Sequence, residues 1–314
     1  MSTLFTDLGG EIWRIRRFAD EKDTRFSAFN PSIAYSPAEG YVVLLRSSNY
    51  FFDPKNGDTV ATAGNRVINR MWMANLDKNW QIIEETMREL DFSENGKFMR
   101  GAEDGRLYWR DGAWEILSVM KEPHLTNDVP RLGTFRLDGV KAKLLNIYDT
   151  DDLQPVEKNW MPTYEKNPLF DFVYSATSIY VNDLGKKSLR EPSIQAGNNI
   201  RGGSCLWDLG DWGYIAIVHE VDPFKQMVYS ARSFAYRAKT FRHYYHRFAR
   251  YDRSGKLIGL SDRFKFTGVR IEFAAGLVIS ENDVIVSYGH KDVASYLAKI
   301  SLNKVKDLIH VIDI

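Results

Sequence analysis

The sequence predicts an all-β fold, a five-bladed β-propeller forming one domain over residues 1–314. Three observations lead there. A unit of polar loop, short strand, Gly/Asp/Asn turn and second apolar strand recurs five times. The polar loop precedes the first strand in every copy, so radial packing would gather those loops at one end of a central channel. Helix-period patterns are few. A Greek-key β-sandwich shares the local strand signals and is the rival architecture.

Turn residues between β-rich runs mark hairpins, and the copies follow in order. The first (residues 29–90) runs Phe29 to Tyr35, turns at Glu39-Gly40, continues Tyr41 to Arg46, and adds Arg70 to Leu76. Trp80 to Ile83 suits its outer strand, although residues 78–90 also carry apolar positions at helical spacing. The second (100–150) opens at Arg100-Gly101-Ala102-Glu103-Asp104-Gly105-Arg106, turns at Asp111-Gly112 and continues Ala113 to Val119. The third (157–190) pairs Lys158 to Tyr164 with Leu169 to Ser175. The fourth (200–262) pairs Arg201 to Trp207 with Tyr214 to Glu220, and Ser230 to Lys239 reads as a short helix or loop excursion. The fifth (270–312) pairs Glu272 to Ile279 with Val284 to His290.

Lys plus Arg number 42 against 41 Asp plus Glu, so no global field favours nucleic acid or an anionic membrane, and any anion site must be local. Cys205 is the only cysteine, which excludes an intrachain disulfide and suits a reducing compartment. Residues 1–17 carry charges and no apolar run of signal-peptide length, and no stretch is apolar enough to span a bilayer. The expectation is a soluble, cytoplasmic protein without a membrane partner.

The stretch from Arg100 to Tyr108 sets two carboxylates and two guanidinium groups between glycines, just before a strand. Glycine's conformational freedom would let such a loop aim an acid into a cleft. A carboxylic acid so flanked can give a proton or hold a sugar hydroxyl. The bland reading is a surface turn with a local ion pair.

Taken in order, Asn30-Pro31-Ser32, Glu103-Asp104-Gly105-Arg106, Lys158-Asn159-Trp160, Arg201-Gly202-Gly203-Ser204 and Tyr288-Gly289-His290-Lys291-Asp292 resemble glycoside hydrolase family 130, over about residues 29–300. The resemblance implies a five-bladed propeller and the chemistry of β-mannoside phosphorylases and hydrolases, with related β-1,2-mannosyltransferases. It makes Asp104 the proton donor, from an Asp-Pro-Arg-like loop in which Gly105 here replaces the proline. Asp292 becomes a ligand of the bound sugar, Lys158 the third-blade lysine, and His219 the fourth-blade histidine.

A glycosidic bond breaks through an oxocarbenium-like state, so the leaving oxygen needs a proton and the anomeric carbon a nucleophile. Asp104 is the expected general acid of an inverting phosphorolysis or transfer, and Glu103 and Arg106 would shift its pKa in opposite directions. Phosphate as nucleophile needs fixed cations, for which Arg46, Lys158, Arg201, His219 and His246 are candidates. With Asn30, Glu103, Arg106, Asn159, Glu220 and Asp292 they complete the expected substrate site. No cofactor is expected beyond inorganic phosphate or a sugar phosphate as co-substrate; the partner is a small-molecule or oligosaccharide substrate. A hydrolase using water activated by Glu220, and a non-catalytic glycan-binding propeller, are the alternatives.

Between Ser230 and Arg253 basic residues interleave with aromatic ones, a pattern that can bind single-stranded nucleic acid. The alternation from Tyr244 to Asp252 argues for a blade strand instead, so no nucleic-acid partner is expected. His219, Glu220, His243 and His246 lack tight ligand spacing, and no metal is expected.

Overall fold

A computed structural model describes residues 3–15, 26–52, 59–62, 67–93, 101–120, 130–148, 158–174, 176, 179–183, 186–190, 200–230 and 235–312. Arg100, Ser175, Arg232 and Phe234, which fall in the stretches read from the sequence, lie outside them. The chain is all-β. Among the described residues one short α-helix, Leu302–Leu308, accompanies five sheets of four or more strands and one two-stranded ribbon. None of their helices is long and apolar enough to cross a membrane.

Each sheet begins with the strand that follows a polar loop. Ser27–Ser36, Gly40–Ser48, Asn69–Asn75 and Arg88–Glu89 make the first sheet, and Ala102–Arg110, Ala113–Met120, Arg131–Asp138 and Lys141–Tyr148 the second. The third is short-stranded: Met161–Pro162, Phe172–Val173, Ile179–Asp183 and Lys186–Arg190. The fourth is built on Tyr214–Ser230 and Ala235–Tyr251, flanked by Ile200–Gly202 and Leu257–Ser261. The fifth holds Glu272–Ser280, Asp283–His290 and Ala294–Ser301.

Both ends of the described chain add strands to sheets that begin elsewhere in the sequence. Glu11–Arg14 pairs antiparallel with Ala294–Ser301, and Ile309–Val311 pairs with Leu257–Ser261. Such additions cover sheet edges that would otherwise leave backbone groups unpaired.

The first strands of the fifth, first and second sheets lie against one another, and small side chains and backbone groups tie neighbouring sheets together. Ser32 Oγ donates to the Ala275 carbonyl and accepts from the Leu107 N–H, both at 3.0 Å. Ser287 Oγ donates to Pro31 O at 2.7 Å and accepts from Ile33 N–H at 2.9 Å, joining the fifth sheet to the first. Leu206 N–H reaches Pro162 O at 2.8 Å, joining the fourth to the third. Apolar side chains fill the spaces between sheets, as where Ile217 and Phe248 pack with Leu277 and Val286. That burial is the main stabilising term of the fold.

Two local expectations change. The outer strand of the first sheet is Arg88–Glu89, not Trp80 to Ile83; Trp80 sits in a turn at φ +61° with its ring against Tyr41. No α-helix forms over 78–90, only a 3-10 turn at Glu84–Thr86. Residues 235–239 continue a strand rather than a helix or loop.

Candidate active site

Left-handed backbone marks where the first three sheets open. Asn30, Asp104 and Asn159 have φ of +49°, +48° and +64°. Asn and Asp tolerate this region better than other residues with a Cβ. At Asn30 and Asp104 the strand pairing also slips, at bulges between Phe29 and Ser32 and opposite Leu117 to Val119. Bulges re-aim side chains. Gly105 has no positive φ; it contributes space, since a Cβ there would lie 2.7 Å from Leu44 Cδ2 and 3.0 Å from Ile116 Cγ2. The strained turn is made by Asp104 itself, and by Gly101 at φ +76°.

Arg46, buried in the second strand of the first sheet, is the hub. Its Nη1 donates to Asp104 Oδ1 at 2.8 Å, its Nη2 lies 3.2 Å from Glu103 Oε1, and its Nε donates to Asn69 Oδ1 at 3.0 Å. Asn69 in turn donates to Glu103 Oε1 at 3.3 Å, and Asn30 Nδ2 donates to Asp104 Oδ1 at 2.9 Å. The guanidinium lies 5.0 Å from the Phe29 ring centroid and 5.7 Å from that of Tyr50. Tyr50 Oη donates to Asp292 Oδ2 at 2.9 Å, which brings the late acid to the same cluster. Lys291 and Asp292 are both left-handed at φ +55°, in a turn closed by the Val293 N–H to His290 O bond at 3.1 Å.

The two aspartates are driven apart electrostatically. Burial pushes the Asp104 carboxyl upward, but Arg46, the Asn30 amide and Arg106 outweigh it and hold the group at about 2. Burial dominates at Asp292; aided by the Asp104 and Glu103 charges and opposed by Arg46 and Tyr50, it lifts that carboxyl to about 6. Burial, then the Asp292 charge, raises the Tyr50 phenol, so it stays a donor.

Arg106 is fully buried and bridges three sheets. It donates to Gly203 O and to Asn159 Oδ1, each at 2.9 Å, and to Asp104 O at 2.6 Å. Its guanidinium lies 5.2 Å from the Phe273 ring, against which His219 packs edge-on at 5.2 Å. Tyr244 stacks on His219 at 5.7 Å, and burial followed by the charge of Asp292 raises its phenol pKa. Through that stack Tyr244 adjoins the same cluster.

The structure thus gathers Asn30, Arg46, Glu103, Asp104, Arg106, Asn159, His219 and Asp292. Lys158 and Arg201 are exposed, Arg201 lying across from His219 in the strand register. Two expected members are placed differently: His246 stands opposite His219 in the strand register but packs into the core, and Glu220 points away. His246 is a core residue, fully buried with its ring 4.8 Å from Phe266, and burial followed by Lys265 lowers its pKa to about 3. Glu220 follows His219 directly, so strand alternation turns it to the other face, where Arg247 and Arg263 engage it. Sequence reasoning missed Tyr50, Asn69 and Tyr244. Tyr50 meets Asp292 across 242 residues, a contact no local pattern announces.

No protein-family model and no curated protein matches the chain. Solved structures do. The β-1,2-mannobiose phosphorylase from Listeria innocua, in complex with β-1,2-mannobiose, superimposes with a TM-score of 0.60 at 12% identity over 95% of this chain and 99% of that one. A structure from work on GH130 mannoside phosphorylases, a family said to contain glycoside hydrolases that target β-1,2-mannosidic linkages in Candida mannan, gives 0.54 at 14% identity, over 88% and 85% of the two chains. A GDP-Man-dependent mannosyltransferase from Leishmania mexicana gives 0.53 at 10% identity, over 93% and 89%. This chain has the fold of these mannoside-active proteins.

Proposed function

We propose that this protein is a cytoplasmic carbohydrate-active enzyme of the glycoside hydrolase family 130 type. Its five sheets are the blades of a single propeller domain, and its reaction breaks or forms β-mannosidic linkages by inverting phosphorolysis or transfer. The supporting observation is the convergence of Asp104 and Asp292, from the second and fifth sheets, on Arg46 and Tyr50 from the first. A shared fold would not suffice, because fold does not dictate function.

Asp104 is the general acid in this reading. Held low by Arg46, the Asn30 amide and Arg106, its carboxyl is an anion at neutral pH, so the proton must arrive with the substrates. An anionic co-substrate bound beside Arg46 competes for the guanidinium and adds negative charge, and both raise the proton affinity of Asp104. In phosphorolysis a phosphate oxygen bonds to the anomeric carbon while its bond to the leaving oxygen breaks. That oxygen takes the proton from Asp104, directly or through a sugar hydroxyl. Asp292 and Tyr50 hold hydroxyls of the bound sugar, and no cofactor is required. The engagement of Glu220 by Arg247 and Arg263 favours phosphate or an acceptor sugar over water activated by Glu220.

The test is sugar release from β-1,2-mannobiose with and without inorganic phosphate, repeated with Asp104→Asn. Phosphate-dependent release, lost roughly 10²–10⁴-fold in the folded variant, is expected. Binding without turnover would make the protein a glycan-binding propeller, and full activity in the variant would remove Asp104 from its role.

A further inference from the structure

The longest strands of the protein, Tyr214–Ser230 and Ala235–Tyr251, are 17 residues each and stay paired in register to Ser230 and Ala235. Neighbouring strands accompany them only at their bases: Ile200 pairs with Glu220, and Phe264 with His246. Beyond that, among the described residues, the pair continues as a two-stranded ribbon, about 30 Å long at ~3.4 Å per residue.

The ribbon has a closed face and an open one. On the closed face Phe224 and Phe241 stack at 5.4 Å, Arg270 lies 4.5 Å from the Phe241 ring, and Arg263 pairs with Asp222 at 2.9 Å. Residues directly opposite in an antiparallel pair share a face, which alternates along the strand. The open face therefore carries Lys225, Arg242 and Tyr244 in line with His219. Lys225 and Arg242 are exposed, and neither is ion-paired among the described residues. Arg242 hydrogen-bonds to Tyr244, whose ring rests on His219 at the rim of the catalytic pit. The open face is thus continuous with the site.

Charge says what it would take. The described side chains of the open face include Lys225 and Arg242 and no acid, in a chain whose net charge is +1. A second copy would bring a like-charged ribbon and be repelled, whereas an anionic group would be drawn in. We propose that the open face of this ribbon, through Lys225 and Arg242, binds an anionic substituent, phosphate or carboxylate, on the part of the glycan that extends out of the pit. This rests on the mannoside reading above and narrows its substrates to acidic or phosphorylated glycans.

The experiment compares wild type with a Lys225→Ala/Arg242→Ala double variant. Binding of mannose 6-phosphate, glucuronate and mannose is measured at several salt concentrations, with turnover of unmodified β-1,2-mannobiose alongside. Wild type should bind one or both anionic sugars on the order of tenfold tighter than mannose at low salt, with the advantage shrinking as salt rises. The phosphate and carboxylate arms show which anion is read. The double variant should lose that advantage while turning over mannobiose like wild type. An advantage that survives in the double variant overturns the proposal. So does a short oligonucleotide that binds the wild type more tightly than either sugar, which would make the ribbon a nucleic-acid arm. Loss of the advantage in the double variant with no mannoside turned over by either protein would sink the mannoside reading and support the anion site.

Discussion

Arg46 and Asp104 meet at 2.8 Å, and the same guanidinium also serves Glu103 and Asn69, so one cation is shared by two adjacent carboxylates. The pair is buried and was assembled at the cost of desolvation, so removing one partner strands the other. Arg46→Met should destabilise the fold by roughly 3–5 kcal/mol at neutral pH, read by denaturant unfolding. In wild type the depressed Asp104 carboxyl contributes stability that is present above its unfolded value of 3.8 and lost as pH falls towards about 2. In the variant the order reverses, because protonation near pH 4 relieves the stranded anions. A variant equally destabilised at pH 4 and pH 7 would contradict this account.

Asp292 has the opposite sign. Its folded value of about 6 lies above the unfolded 3.8, so its contribution to stability is fully present below 3.8 and lost as pH rises through 6. Above that the ionised group costs the fold up to roughly 3 kcal/mol, because each tenfold change in proton affinity is worth about 1.4 kcal/mol. Asp292→Asn should therefore raise stability at pH 8 and leave it nearly unchanged at pH 3.5. It should also weaken sugar binding, since an amide no longer accepts two hydroxyl bonds equally. Thermal unfolding across that range checks the first point and ligand titration the second.

What could be read from the sequence was whatever is local. Polar openings, hairpin turns and apolar second strands placed the first two strands of each sheet, and Asn30, Asp104, Asn159 and Asp292 occupy left-handed positions that suit their residue type. Contacts between distant segments were not legible: the Tyr50–Asp292 bond, the Asn69 bridge, and the added strands at Glu11–Arg14 and Ile309–Val311. One error was avoidable. His219 and Glu220 are successive residues of a strand, and a period of two already puts them on opposite faces.

Ser287 connects the closing of the fold to the aim of the site. Its hydroxyl satisfies the Pro31 O within the bulge that presents Asn30 and the Ile33 N–H just after it. Ser287→Ala leaves both buried backbone groups without that partner, at a cost of about 1–3 kcal/mol. Because Asn30 then loses its support, turnover should fall several-fold more than KM changes. Ser287→Thr, which keeps the hydroxyl, should restore much of both; a Thr variant no better than Ala would mean that space, not the hydrogen bond, matters there.

His246 makes the acid limb of stability testable apart from the carboxylates. Its ring is fully buried beside Phe264 and Phe266, its side-chain nitrogens have no hydrogen-bond partner among the described residues, and burial with help from Lys265 holds it at about 3 against a usual 6.5. His219, opposite it in the register, is likewise held well below 6.5, chiefly by burial and then by His246, so neither ring can relieve the other by accepting a proton. The sign follows from where the proton goes. Below 6.5 the unfolded chain binds a proton that the folded chain refuses until about 3. The stability from a neutral His246 is therefore present above 6.5 and lost as pH falls through that window, by roughly 5 kcal/mol in all, again at about 1.4 kcal/mol for each tenfold change in proton affinity. His246→Leu keeps an apolar side chain of similar reach in an aromatic pocket and has no proton to bind. The variant should lose less stability than wild type between about pH 6.5 and pH 4, measured by urea unfolding at fixed ionic strength. Parallel curves for the two proteins would show that His246 is not held neutral by its surroundings.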